Sequence, residues 1–157
     1  MNQHFTHLHL HTEFSLLDGA IKLERLVEFG QQQKLKALAI TDHGNVFGAV
    51  KFSQLCNKVG IKPIIGVEAY FTPDASIRSV DNKYHHLILL VQNEKGYQNL
   101  CKLMSFAYRE GFYFKPRIDY NILAKHSEGL LERTRLGVVG QRALLDRLRT
   151  WFLLRDR

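Results

Sequence analysis

Residues 5–19 read FTHLHLHTEFSLLDG, and this stretch orders the rest of the chain. His7, His9 and His11 alternate within residues 4–11, which read as a β-strand. Successive strand side chains point to opposite faces, so the three imidazoles share one face. Ring nitrogens gathered on one face are costly to bury and well suited to holding a metal. Asp18 follows at the end of the next loop, before Gly19, and offers an oxygen. The stretch therefore reads as the entrance to a metal site, and the remaining ligands are to be sought further along.

Residues 22–34 carry apolar side chains at 23, 26, 27 and 29, the spacing of an amphipathic helix. Residues 35–41 form a short apolar strand that runs into Asp42-His43-Gly44-Asn45, a turn. Residues 46–59 read as a second helix stopped by Gly60. Residues 61–71, with Pro63 near the start, read as a third strand. Residues 72–84 read as a polar loop and 86–91 as a fourth strand. Residues 94–109 form a third helix with apolar positions 97, 100, 103, 104 and 107. Residues 111–117 (GFYFKPR) read as an aromatic loop, and 119–126 as a short helix. Strands alternating with helices, the strands nearly continuous in apolar residues, predict an α/β fold with roughly four parallel strands covered by helices. A doubly wound open sheet and a β/α barrel both fit. His9 and His11, His43 and Glu68 fall on or just after three successive strands, which favours a barrel with its site at the strand ends.

The chain has 157 residues, enough for one domain with a sizeable core. No run of apolar residues is long enough to span a membrane, and no secretory leader is recognisable. Cys56 and Cys101 give neither a disulfide framework nor a paired-cysteine zinc motif, so a reducing cytoplasm is expected. Net charge is +7, unevenly placed: residues 1–128 carry net +3, with 11 Lys, and residues 129–157 carry net +4, with 7 Arg and no Lys. The charge permits contact with nucleic acid without establishing it.

The candidate ligands are chemically distinct from packing residues. His9 and His11 can hold one ion from one side. A strand end carrying Asp42-His43-Gly44 packs poorly and suits a site. Glu68 interrupts the apolar strand IIGVEAY, and a buried carboxylate needs a partner, of which a cation is the strongest. Either His85 or His86 could be a ligand, although both open a strand, whereas barrel ligands usually close one. His7 is expected to lie behind the ligands or in the core. Mixed His, Asp and Glu ligation suits zinc, manganese or iron better than calcium. Such a divalent cluster lowers the pKa of bound water and clamps phosphate oxygens. No catalytic residue beyond the ligands is indicated: Ser/His/Asp order, a nucleophilic cysteine setting and a Gly-rich phosphate loop are all missing.

HLHLHTEFSLLDG, AITDHGNVFGAVKF, GVEAYF, HHLILLV and GFYFKPRID together resemble the N-terminal PHP (polymerase and histidinol phosphatase) domain of bacterial DNA polymerase III alpha subunits, over residues 4–131. The resemblance implies a distorted β/α barrel with a metal cluster at its strand ends. It places ligands at His9, His11, Asp18, His43, Glu68 and His86, leaving His7, Asp42 and His85 as residues behind them. It implies a metal-dependent 3′–5′ exonuclease or phosphoesterase, or a structural module, within a DNA-directed DNA polymerase that works in replication. DNA and other replication-polymerase subunits are the implied partners, with no membrane. The alternatives are a free-standing PHP phosphoesterase and a non-catalytic docking module.

The pattern changes after Leu131. The family leads one to expect a strand ending in Gly-Cys, then an Asp-x-His pair, whereas residues 132–157 form an Arg/Leu-rich tail without Cys or His. The expectation is a partial PHP domain at 4–131, followed by a frame-shifted or divergent tail in which Leu144, Leu145, Leu148 and Phe152 could form one helical face. An incomplete barrel with an unpaired sheet edge, an incomplete metal site and a tendency to associate follow from it.

Overall fold

The computed structural model describes residues 5–134 and 137–139, and the side chains of 5–131. The chain is α/β. In order it forms α1 (Leu23–Gln32), β1 (Ala37–Ile40), α2 (Ala49–Lys58), β2 (Lys62–Phe71), β3 (His85–Val91), α3 (Glu94–Arg109), β4 (Phe112–Tyr113), β5 (Lys115–Ile118), α4 (Tyr120–Lys125), β6 (Leu130–Thr134) and β7 (Gly137–Val139). The expected helical face at Leu144, Leu145, Leu148 and Phe152 lies outside the described residues.

β2 is the axis of the sheet. Its first half pairs in parallel with β1, Ala37 opposite Lys62 through Ile40 opposite Ile65. The same register direction continues through a bridge between His43 and Glu68, and Tyr70 and Phe71 pair in parallel with Arg117 and Ile118 of β5. Across from these, β3 pairs with Gly66–Phe71 of β2, and here the strands are antiparallel. β6 is antiparallel to β3, and β7 to β6. The path runs β4-β5-β2-β3-β6-β7, with β1 also on β2.

This corrects two expectations. The sheet is mixed, because residues 72–84 contain no helix: a parallel return needs a crossover long enough to span the sheet, and a simple loop brings the next strand back antiparallel. The aromatic segment at 111–117 is a short hairpin, Phe112 opposite Pro116 and Tyr113 opposite Lys115. Its tip, Phe114, has φ +56°, which left no turn glycine for the sequence to announce.

Two apolar clusters hold the layers. One packs Val67, Phe71 and Leu89 of the sheet against Leu100, Leu103 and Ala107 of α3. The other packs Leu23, Leu26 and Val27 of α1 against Leu38 and Ile40 of β1 and Phe52 and Cys56 of α2. In each helix the buried positions recur at three- and four-residue spacing, so a single stripe faces the core. α3 is started by Asn93, whose side chain accepts from Gly96 N at 3.0 Å.

Residues 5–11 form no strand and bend at Leu8, although exposure alternates along residues 5–10. Their attachment is local: Thr41 N donates to Leu10 O at 2.8 Å, and Leu10 N donates to Thr41 Oγ1 at 2.9 Å. The segment is thus docked on the end of β1 through one residue, and this carries His9 and His11 to the ends of β1 and β2.

Candidate metal centre

Glu68 is the centre of the site. It sits in β2 with its side chain only 6% exposed. Its Oε2 lies 2.5 Å from His9 Nε2 and 3.1 Å from His11 Nε2. Its Oε1 contacts His86 Nδ1 and lies 4.0 Å from His43 Nδ1. Asp18 closes the other side, its Oδ2 2.8 Å from His43 Nε2 and 3.9 Å from His11 Nε2. The His11 and His43 rings stack at 4.2 Å. Three overlapping sets result, each with ligand atoms within 4.8 Å of one another: His9, His11 and Glu68; His11, Asp18 and His43; His43, Glu68 and His86.

The antiparallel β3 explains His86. Because β3 runs against β2, its start lies beside the end of β2, with Tyr70 opposite His86 and Glu68 opposite Ile88. His86 is two residues from Ile88, so it shares the face of Glu68 and reaches it diagonally. A strand start therefore serves the same end of the sheet as the strand ends of β1 and β2. His85 takes the other face, beside Phe71 in register, and is exposed.

Asp42 has a different role. Its carboxylate is buried and accepts from Thr12 N at 2.6 Å, Ser15 Oγ at 2.6 Å and Thr12 Oγ1 at 2.8 Å. It ties the loop between His11 and Asp18 to the end of β1. Gly19 completes that loop, since a Cβ there would run into the Thr12 carbonyl. Gly44 has φ +60°, and a Cβ on it would press on Pro116 and Tyr70, so the turn after His43 demands glycine for both reasons. His7 departs from expectation: it is exposed, and among the described residues its ring contact is with Phe5, edge-on at 4.6 Å. Among the described residues, the backbone attachment of this segment is at Leu10, and His7 precedes it.

Ser15 was not singled out from the sequence, yet it organises the centre. Its single hydroxyl proton goes to Asp42, a carboxylate that can only accept. Its oxygen accepts from His43 N at 3.1 Å and lies 3.4 Å from His11 Nδ1. The His11 contact thus uses an Nδ1 proton, which leaves His11 Nε2 as a lone pair facing Glu68 Oε2 and His9 Nε2. Among the described residues, His43 Nδ1 is buried with no hydrogen-bond partner. Lone pairs and carboxylate oxygens converging in this way repel one another unless a cation lies among them, so the donor set fits a divalent metal.

The electrostatics agree. Burial lowers the pKa of His11, and neighbouring His43 adds to this, so the ring favours the neutral, ligating form. Burial alone would raise the Glu68 carboxyl, but contacts with His86 and His9 outweigh it and hold the group below the usual range. Asp18, exposed, is lowered chiefly by its hydrogen bond with His43. Tyr70 and Tyr84 form an aromatic wall beside the cluster: Tyr70 lies 5.4 Å from the His86 ring and 5.0 Å from Tyr84, and Lys115 Nζ sits 5.4 Å over Tyr70. Tyr70 inside an apolar strand and Tyr84 at the end of a polar loop gave no signal of this role.

The sequence model of the PHP domain matches residues 7–151. The chain belongs to the PHP domain family. Relatives include the DNA polymerase III subunit alpha of Aquifex aeolicus, 51% identical over 143 residues, covering 85% of this chain and 12% of that protein. The subunit of the same name from Treponema pallidum is 51% identical over 131 residues, covering 81% of this chain and 11% of that protein. This PHP chain thus spans about an eighth or less of the curated relatives it matches. Among solved structures, an amidohydrolase from Chromobacterium violaceum is similar with a TM-score of 0.48 and 22% identity, over 65% of this chain and 32% of that one. No helix among the described residues is long and apolar enough to cross a membrane.

Proposed function

We propose that this PHP domain is a metal-dependent phosphoesterase module that trims DNA from the 3′ end, carried by a replicative DNA polymerase alpha subunit in the cytoplasm. The observation that carries the reading is the set of three ligand groups sharing Glu68, His11 and His43. His9, His11, Asp18, His43, Glu68 and His86 would hold zinc, manganese or iron ions. When bound, such ions supply a hydroxide nucleophile at neutral pH and a clamp on phosphate oxygens. The chain's own contribution is orientation. Glu68 offers one oxygen to each side of the centre. Ser15 fixes the His11 tautomer, and Asp42 fixes Ser15. Lys115 places a positive charge beside the aromatic wall, where a phosphodiester would approach.

The relatives' names support polymerase membership, with DNA and further replication subunits as partners. The test is hydrolysis of a 5′-labelled single-stranded oligonucleotide and of a small phosphomonoester, each with added Mn²⁺ or Zn²⁺ and with EDTA. Stepwise shortening from the 3′ end, abolished by EDTA and by Glu68→Gln, supports the reading. Turnover of the phosphomonoester alone would point instead to a free-standing phosphoesterase, and no turnover of either would point to a docking module.

A further inference from the structure

Beside the metal centre, a cavity of about 520 Å³ opens between the 72–84 loop and the β4–β5 hairpin. Its size is that of ordinary small-ligand sites. Arg117 lines it and is the unusual member. The guanidinium is buried, with the residue 1% exposed. It donates from Nε to Gly111 O, from Nη1 to Ile77 O and from Nη2 to Ala75 O, each at 3.0 Å. Its charge lies 5.3 Å from the centre of the Tyr113 ring. No carboxylate among the described residues forms an ion pair with it. Asp74, the acid that acts on it, is itself engaged by the amide and hydroxyl of Ser76. Held by three backbone carbonyls and a ring, with no ion-pairing carboxylate among the described residues, the guanidinium keeps a positive charge at the cavity wall.

Lys83 adds a second cation to the lining, and the loop's acids, Asp74 and Asp81, are not part of it. Tyr84, Tyr113 and Phe114 supply aromatic faces. Phe114 is 76% exposed and held there by a left-handed backbone, a conformation that costs energy for a side chain of this size. Tyr84 also lies 5.0 Å from Tyr70 and 6.0 Å from the His86 ring. One ring therefore belongs both to the cavity and to the wall of the metal centre.

Cations for phosphates and exposed rings for bases are the two elements of a single-strand binding surface. A duplex base is stacked on its neighbours and cannot lie against these rings. We infer that the Lys83, Tyr84, Tyr113, Phe114 and Arg117 cavity binds a nucleotide of single-stranded DNA and feeds the strand toward the metal centre. The direction of feeding rests on the proposed function, whereas the binding does not.

The test is fluorescence anisotropy of a labelled oligothymidylate with the 157-residue chain in EDTA, so that metal plays no part. Phe114→Ala should weaken binding roughly 5- to 150-fold, as loss of one stacked base does. Lys83→Ala should weaken it and flatten the log–log salt dependence by about 0.7. Duplex DNA should bind far more weakly. Both side chains are removed from the surface, so folding is preserved, and circular dichroism verifies it. Absent binding by the unaltered chain, or binding indifferent to both variants, would overturn the inference. Phe114-dependent binding without any metal-dependent cleavage would uphold the cavity and remove the exonuclease reading alone.

Discussion

At the scale of residues, the centre sets the partly buried His11 ring beside the Glu68 and Asp18 carboxylates, and acid acts on all three. Glu68 and Asp18 have depressed pKa values in the folded chain. Such groups stabilise the fold above their unfolded pKa, about 4, and the stabilisation is lost as pH falls through the folded value. His11 is also depressed: unfolding lets it take up a proton, so its burial costs stability below about pH 6.5. All three act in one direction. Urea midpoints measured in EDTA should fall in the first step from pH 7.5 to 5.5, through His11, and again below about pH 4.5, through the carboxylates. A midpoint independent of pH across this range would contradict the assignment.

Cys56 offers a separate check at this scale. Burial pushes its thiol up to about 11, and the side chain lies fully inside the α1–α2 cluster. Only the thiolate reacts readily. At pH 8 a maleimide should therefore modify at most one thiol per native chain, Cys101, and two after denaturation, as mass spectrometry would count. His9, His11, His43 and Glu68 stood out in the sequence because His and Glu are conspicuous on or just after apolar strands, whereas Asp18 looked like a turn residue and the choice of His86 over His85 came from the family resemblance. Thr12 and Ser15 were not, because small hydroxyl residues in a loop look like ordinary turn formers. Their role depends on Asp42, which is far away in sequence.

Elements bear out a different part of the reading. α3 spans the residues its periodicity indicated, since five apolar positions on one stripe leave little freedom. Asn93→Ala should cost about 1 kcal/mol in chemical denaturation, by removing the cap on Gly96 N. The direction of β3 was not read from the strand itself. Its apolar run suited a parallel strand, and the information lay in the 72–84 loop, which lacks a crossover helix. The β4–β5 hairpin was missed because its strands are two and four residues long, and its turn uses Phe114 where sequence rules look for Gly or Asn.

For the whole molecule, the two apolar clusters and the mixed sheet have one consequence for function. β1, β2 and the reversed β3 bring His43, Glu68 and His86 to one end of the sheet, and the docked segment 5–11 adds His9 and His11. The cost of gathering so many lone pairs and carboxylates is borne by packing elsewhere. Leu100→Ala, in the cluster between α3 and the sheet, should lower stability by about 2–5 kcal/mol in urea denaturation. It should leave the metal stoichiometry of the folded fraction unchanged. The α/β class and the ligand end of the sheet were legible from residues 5–71, whereas strand direction beyond β2 needed the loops.

Metal held around Glu68 is the property on which the function of the chain rests. The direct measurement is elemental analysis of the chain after equilibrium dialysis against Zn²⁺ or Mn²⁺, alongside Glu68→Gln. The unaltered chain should retain at least one divalent ion per chain, and the variant should lose it, because Glu68 belongs to two of the three ligand groups. Equal metal content in the two proteins, or none in either, would contradict the account.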